Sequence, residues 1–180
     1  MIRDQLFLFP ELDFFKTKIK DIDYVDLSTL KRSHETRKNP YSLLPKDTYF
    51  IFKTGGYNKY MPELGAVFPY IQNIKNKKIL QARLKTTYVK ASLTVHVGKK
   101  QVGFEVRLHR AAAEAFIIND DPVNKQIADH INRNRLDYRV ENIRWITYSE
   151  NNKVARPQGI NYEEKIYFPD SKNKIWERLY

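Results

Sequence analysis

The 180-residue chain contains no cysteine. Disulfides and cysteine-ligated zinc are therefore excluded. No apolar run approaches the roughly 18 residues that a membrane-spanning helix needs, so no membrane partner is expected. The opening stretch MIRDQLFLFPELDFF is broken by Pro10 and Glu11 and offers no small-residue cleavage site, so a secretory leader is not expected either. Internal repeats and low-complexity tracts are also missing. Acidic residues are in short supply, 21 against 32 Lys and Arg, giving a net charge of +11. Such a balance suits a polyanionic partner, or serves solubility alone. Hydrophobic residues make up 42% and aromatics 13%, enough for a packed core.

The positive charge is uneven. Residues 61–98 carry six basic residues and one acidic residue, whereas 157–180 are balanced. Residues 1–60 mix short apolar clusters with breakers and read as an accessory region of unassigned role, with a loop around KRSHETRKNP. From Gly65 onward short strands are expected at GAVFPYI, KKILQARL, YVKASLTVHV and VGFEVRL, with VGKKQ as a hairpin turn. HRAAAEAF reads as a short helix because its alanines favour one. QIADHI and NIRWI read as two strands around a loop from Asn132 to about Arg139. Thr147 and Glu150 fit a capping box, so a helix should begin just after Thr147 and stop near Arg156, before Pro157 and Gly159. The tail after Pro157 could form a further hairpin turning at PDSKNK, and its aromatic residues could fold back on the core or form a dimer surface.

The stretch IADHINRNRLDYRVENIRWITYSENN carries more polar function than a fold requires. Phosphodiester hydrolysis needs an activated water, stabilisation of developing charge and a positioned backbone. His130 can be neutral at working pH and accept a proton from water. Asp129 and Asn151 offer hard oxygen donors suited to Mg²⁺, which keeps several waters and accepts phosphate oxygens. Arg133, Arg135, Arg139 and Arg144 can contact phosphates. Adjacent residues in a flat strand face opposite sides, so Asp129 and His130 can share a site only at a strand end or a twist.

This block resembles the HNH nucleases of the ββα-metal fold, especially phage and intron-encoded HNH homing endonucleases. The resemblance rests on Asp129-His130, on an Asn twelve residues after the histidine, on R-W-I-T after that Asn, and on a final Asn nine residues further. Upstream, LGAVFPYI, NKKILQARLKTTYVKASLTV and LHRAAAEAF are similar to stretches of the same enzymes, so the likeness covers about residues 60–156. It implies a metal-dependent DNA endonuclease leaving 5′-phosphate and 3′-hydroxyl ends, intracellular in a bacterial or phage-infected cell. Asp129 and Asn151 would hold the metal, His130 would be the general base, and Asn142 would fix the loop and orient His130. Where many members have Asp-Asn, this chain has Asp137-Tyr138, so loop bracing should differ.

The expected fold is thus α+β: antiparallel strands upstream, then a ββα-metal catalytic unit at about 126–156. The organisation expected is an accessory region at 1–60, a DNA-binding and nuclease segment at 61–156 and a tail at 157–180. One Mg²⁺ or Mn²⁺ per site and a double-stranded DNA partner follow, with a nicking monomer favoured and a restriction-type dimer as the alternative. A DNA-binding protein that has lost cleavage is the reading from another class, and RNA as substrate stays open. Lys75, Lys77, Lys78, Arg83 and Lys85 are candidate DNA contacts or a solvated strand face. His109 is expected to pack or hydrogen-bond where a strand meets a helix, His96 and His34 to be structural, and Trp145 to be core.

Overall fold

The computed structural model describes residues 17–31 and 39–155. The proposed tail hairpin, His34 and the helix stop near Arg156 lie outside them.

Three antiparallel sheets surround one helix. The first contains β1 (Tyr24–Asp26), β2 (Tyr49–Gly56) and β3 (Phe68–Asn73), in that order. The second contains β4 (Arg83–Lys85), β5 (Tyr88–Val97) and β6 (Lys100–Arg107). Helix α1 (Leu108–Phe116) follows β6 directly. The third sheet pairs β7 (Ile127–His130) with β8 (Ile143–Ile146), and α2 (Tyr148–Ala155) follows. Among the described residues no helix is long and apolar enough to cross a membrane.

The alternation of strand side chains decides which face is buried. Along β5, Val89, Ala91, Leu93 and Val95 are buried, while Ser92, Thr94 and His96 point to solvent. The β5–β6 hairpin turns at Gly98-Lys99, where Gly98 takes a left-handed φ of 61°. α1 buries Ala111, Ala112, Ala113, Ala115 and Phe116. Its small residues let strands of all three sheets approach the helix backbone, so α1 is the hub of the core.

Two expected features are shifted. KKILQARL forms a strand only at Arg83–Lys85, because the chain turns at Lys77, where φ is 60°; upstream of β4, Ile79 makes a single bridge to Gln72. β2 and β3 pair with each other across residue 60, so residues 49–56 share a sheet with the segment that follows. Opposite Pro69, which has no N–H to give, the register of β2 slips between Phe52 and Gly56. A Cβ on Gly56 would lie 2.6 Å from the Phe68 carbonyl oxygen, so only glycine permits that approach.

Candidate active site

β7 and β8 pair Asp129 with Arg144 and His130 with Ile143. The strand keeps its alternation: Ala128 and His130 are buried, while Ile127 and Asp129 are half-buried. His130 is the last residue of β7, which places the acid–imidazole pair at a strand end. The imidazole is 4% exposed, and its Nε2 has no hydrogen-bond partner. Its pKa is lowered to about 4, chiefly by burial; the Asp137 carboxylate opposes the shift and the Arg135 charge adds to it. His130 is therefore neutral at physiological pH, in the form that can accept a proton.

His130 is not alone. The His109 ring lies 4.7 Å from it, centroid to centroid, and Tyr88 stacks on His109 at 4.8 Å. His109 stands in the first turn of α1 and is buried, and desolvation pushes its pKa well below the usual imidazole value. It packs, as the sequence suggests, but the ring it packs against is the candidate base. The strand–helix junction at Leu108-His109 is the only sequence signal that points there.

The loop between β7 and β8 is held by amides. Asn142 Nδ2 donates to Asn132 Oδ1 at 2.9 Å and to the Asp137 carbonyl at 2.7 Å, and its Oδ1 accepts from the Asn132 N–H at 3.0 Å. The Asn142 carbonyl accepts from the Ile131 N–H at 2.8 Å. No side-chain bond joins Asn142 to His130; any influence on the imidazole passes through the backbone of this loop. Asp137 is fully buried and takes one further bond from Asn132 Nδ2. Tyr138, also buried, leaves the loop and packs on Phe68 at 4.9 Å. Asn58, buried in the β2–β3 connection, donates to the Leu136 carbonyl at 2.8 Å.

The four arginines divide. Arg139 forms a fork on Asp137 with bonds of 2.8 and 2.7 Å, and Arg144 sends two bonds of 3.1 Å to Asp129 Oδ2. Both guanidiniums serve internal carboxylates, which the sequence spacing did not reveal. Arg133 and Arg135 are exposed, Arg133 with a left-handed φ of 61°. Among the upstream cations, Lys85 pairs with Glu105, and Arg83 bonds the Gln81 side chain. Lys75, Lys77 and Lys78 are exposed on the turn after β3. Trp145 is buried beneath the Arg110 guanidinium, and Ile143 shares its face.

The capping box forms: the Thr147 N–H donates to Glu150 Oε2 at 2.7 Å, and the Glu150 N–H donates to Thr147 Oγ1 at 3.1 Å. It starts α2 and sets Asn151 in the first turn, with its N–H on the Thr147 carbonyl. α2 packs against β7, the strand that carries Asp129. Asp129 Oδ1 and the Asn151 side chain have no hydrogen bond among the described residues. One carboxylate and one amide oxygen fit an open site for a hard cation that keeps its waters and takes phosphate oxygens. They do not fit a closed cage, and no group of three or more His, Cys, Asp or Glu able to hold a metal occurs among the described residues.

A neutral buried imidazole at a strand end, an acid beside it and an amide-braced loop define a candidate acid–base centre on a strand–loop–strand–helix segment. The same segment matches a known family: residues 106–153 fit the HNH endonuclease model. An uncharacterized HNH endonuclease of Acanthamoeba polyphaga mimivirus is 36% identical over 97 residues, 53% of this chain and 23% of that protein. The chain thus spans about a quarter of the length of the curated relative it matches. No solved structure matches it.

Proposed function

We propose that this chain is a metal-dependent DNA endonuclease whose ββα-metal unit runs from β7 to α2. The observation that carries this reading is His130: buried, neutral, with a partnerless Nε2, and next in the chain to Asp129. His130 takes the proton of the water that attacks phosphorus, and the P–O3′ bond breaks, leaving a 3′-hydroxyl and a 5′-phosphate. Asp129 and Asn151 would hold one Mg²⁺ or Mn²⁺, which supplies charge stabilisation at the phosphate when bound. Asn142 fixes the loop on which Arg133 and Arg135 stand. A single unit of this kind has one imidazole, so a monomer nicks one strand per encounter.

The test is His130→Ala on supercoiled plasmid with Mg²⁺. Cleavage should fall by about 10²- to 10⁴-fold, while a gel shift shows duplex binding intact. A variant that cuts at the parental rate removes His130 from the mechanism. The Asp129–Arg144 pair supports a second reading, a DNA-binding protein that does not cleave, because the guanidinium occupies one oxygen of the metal-site carboxylate. Wild-type protein that binds duplex DNA yet yields no open-circular product with Mg²⁺ or Mn²⁺ would establish that reading.

A further inference from the structure

Arg107 and Arg135 come from distant parts of the chain and meet over one ring. Tyr88 opens β5, Arg107 closes β6 and Arg135 stands in the β7–β8 loop. The Arg107 guanidinium carbon lies 4.9 Å from the Tyr88 ring centroid, and that of Arg135 lies 5.3 Å from it. The same ring stacks on His109, which touches His130. Two planar cations are therefore fixed on a platform one ring away from the candidate base.

Their electrostatic situation sets them apart from three neighbouring arginines. Arg110, Arg139 and Arg144 are neutralised by Glu114, Asp137 and Asp129. Arg107 and Arg135 are exposed and have no carboxylate partner among the described residues. Two like charges held at one ring repel each other, and an anion placed between them relieves that repulsion. Stacking on tyrosine fixes the plane of each guanidinium and lowers the entropy lost when it binds. A guanidinium fork matches two phosphate oxygens.

We infer that Arg107 and Arg135, carried on Tyr88, form a phosphate clamp that seats a DNA phosphodiester beside His130. This rests on the nuclease reading for its location but is a statement about binding. Arg135 is marked by its arginine-rich loop, whereas Arg107 and Tyr88 become its neighbours only through the fold.

The experiment uses the full chain and a short DNA duplex in EDTA, so that binding is read without cutting. Each phosphate contact contributes about 0.9 to the slope of log affinity against log salt. Because the two guanidiniums share one phosphodiester, the Arg107→Ala/Arg135→Ala double variant should reduce the slope by about that amount, and each single variant by part of it. Arg107→Lys and Arg135→Lys keep the charge and should keep the slope. Adding duplex to ¹⁵N-histidine protein should shift the His109 and His130 ring signals in wild type and leave them unmoved in the double Ala variant. Unchanged slopes, or ring signals that ignore DNA in wild type, overturn the clamp. Plasmid cleavage with Mg²⁺ separates the two ideas. A lost slope in a chain that never cuts keeps the clamp and sinks the nuclease, and efficient cutting with an unchanged slope does the reverse.

Discussion

Removing Asn142 tests whether the β7–β8 loop is held by a single amide. Its side chain makes three bonds of 2.7–3.0 Å, two from Nδ2 and one to Oδ1, and the residue is 8% exposed. Asn142→Ala removes all three and deprives the Asn132 N–H and the Asp137 carbonyl of their Asn142 partner. At about 1 kcal/mol for each bond, the loss is about 3 kcal/mol. For a chain of this length that lowers Tm by roughly 6–12 °C. Asn142→Asp separates hydrogen bonding from volume. It is nearly isosteric and keeps the acceptor for Asn132 N–H, but it sets an anion against the Asp137 carbonyl and close to the buried Asp137 carboxylate. It should be no more stable than the Ala variant. Urea unfolding in EDTA, followed by tryptophan fluorescence, measures both. An Ala variant within about 0.5 kcal/mol of wild type, or an Asp variant well above it, would refute the idea that Nδ2 holds the loop closed.

Three further outcomes are expected. Stability in EDTA should fall as pH drops below about 6.5, because burial depresses the His109 pKa: the unfolded chain binds the proton that the folded chain refuses. His109→Phe should reduce that fall and leave the part contributed by His130, whose pKa is also depressed by burial, and urea midpoints across pH will show whether it does. Thr147→Ala should cost about 1 kcal/mol by uncapping α2, read as a loss of helix stability by thermal circular dichroism. In a divalent-ion series Mg²⁺ and Mn²⁺ should support cleavage and Zn²⁺ should support little, since both candidate protein ligands are oxygen donors; strong activity with Zn²⁺ alone would show that a nitrogen ligand had been overlooked.

What could be read from the sequence was local. The Thr147–Glu150 box depends on residues three apart, so it appears in the chain as it does in the fold. β7, β8 and the β5–β6 hairpin were visible for the same reason: alternation and a glycine turn are properties of neighbours. Pair contacts across long separations were not. Arg139 and Arg144 look like phosphate ligands by composition, yet their carboxylates, Asp137 and Asp129, capture them. His109 looks like a packing residue, and nothing in a linear pattern says that its neighbour across the core is His130. Periodicity tells which face is buried; it does not tell what lies against it.

The attachments of the β7–β8 segment bear on how much of the chain an HNH-like stretch needs around it. Leu136 and Ile143 give their carbonyls to Asn58 and Thr17, and Tyr138 rests on Phe68; all three supporting residues precede the stretch that matches the family. A recombination that moved residues 106–153 alone into a new host chain would deliver the acid, the imidazole and the amides. It would leave two carbonyls unpaired and a tyrosine uncovered. The smallest heritable cassette is therefore longer than the recognisable motif, and a host must inherit or reinvent the upstream brackets before the transplanted chemistry can hold its shape.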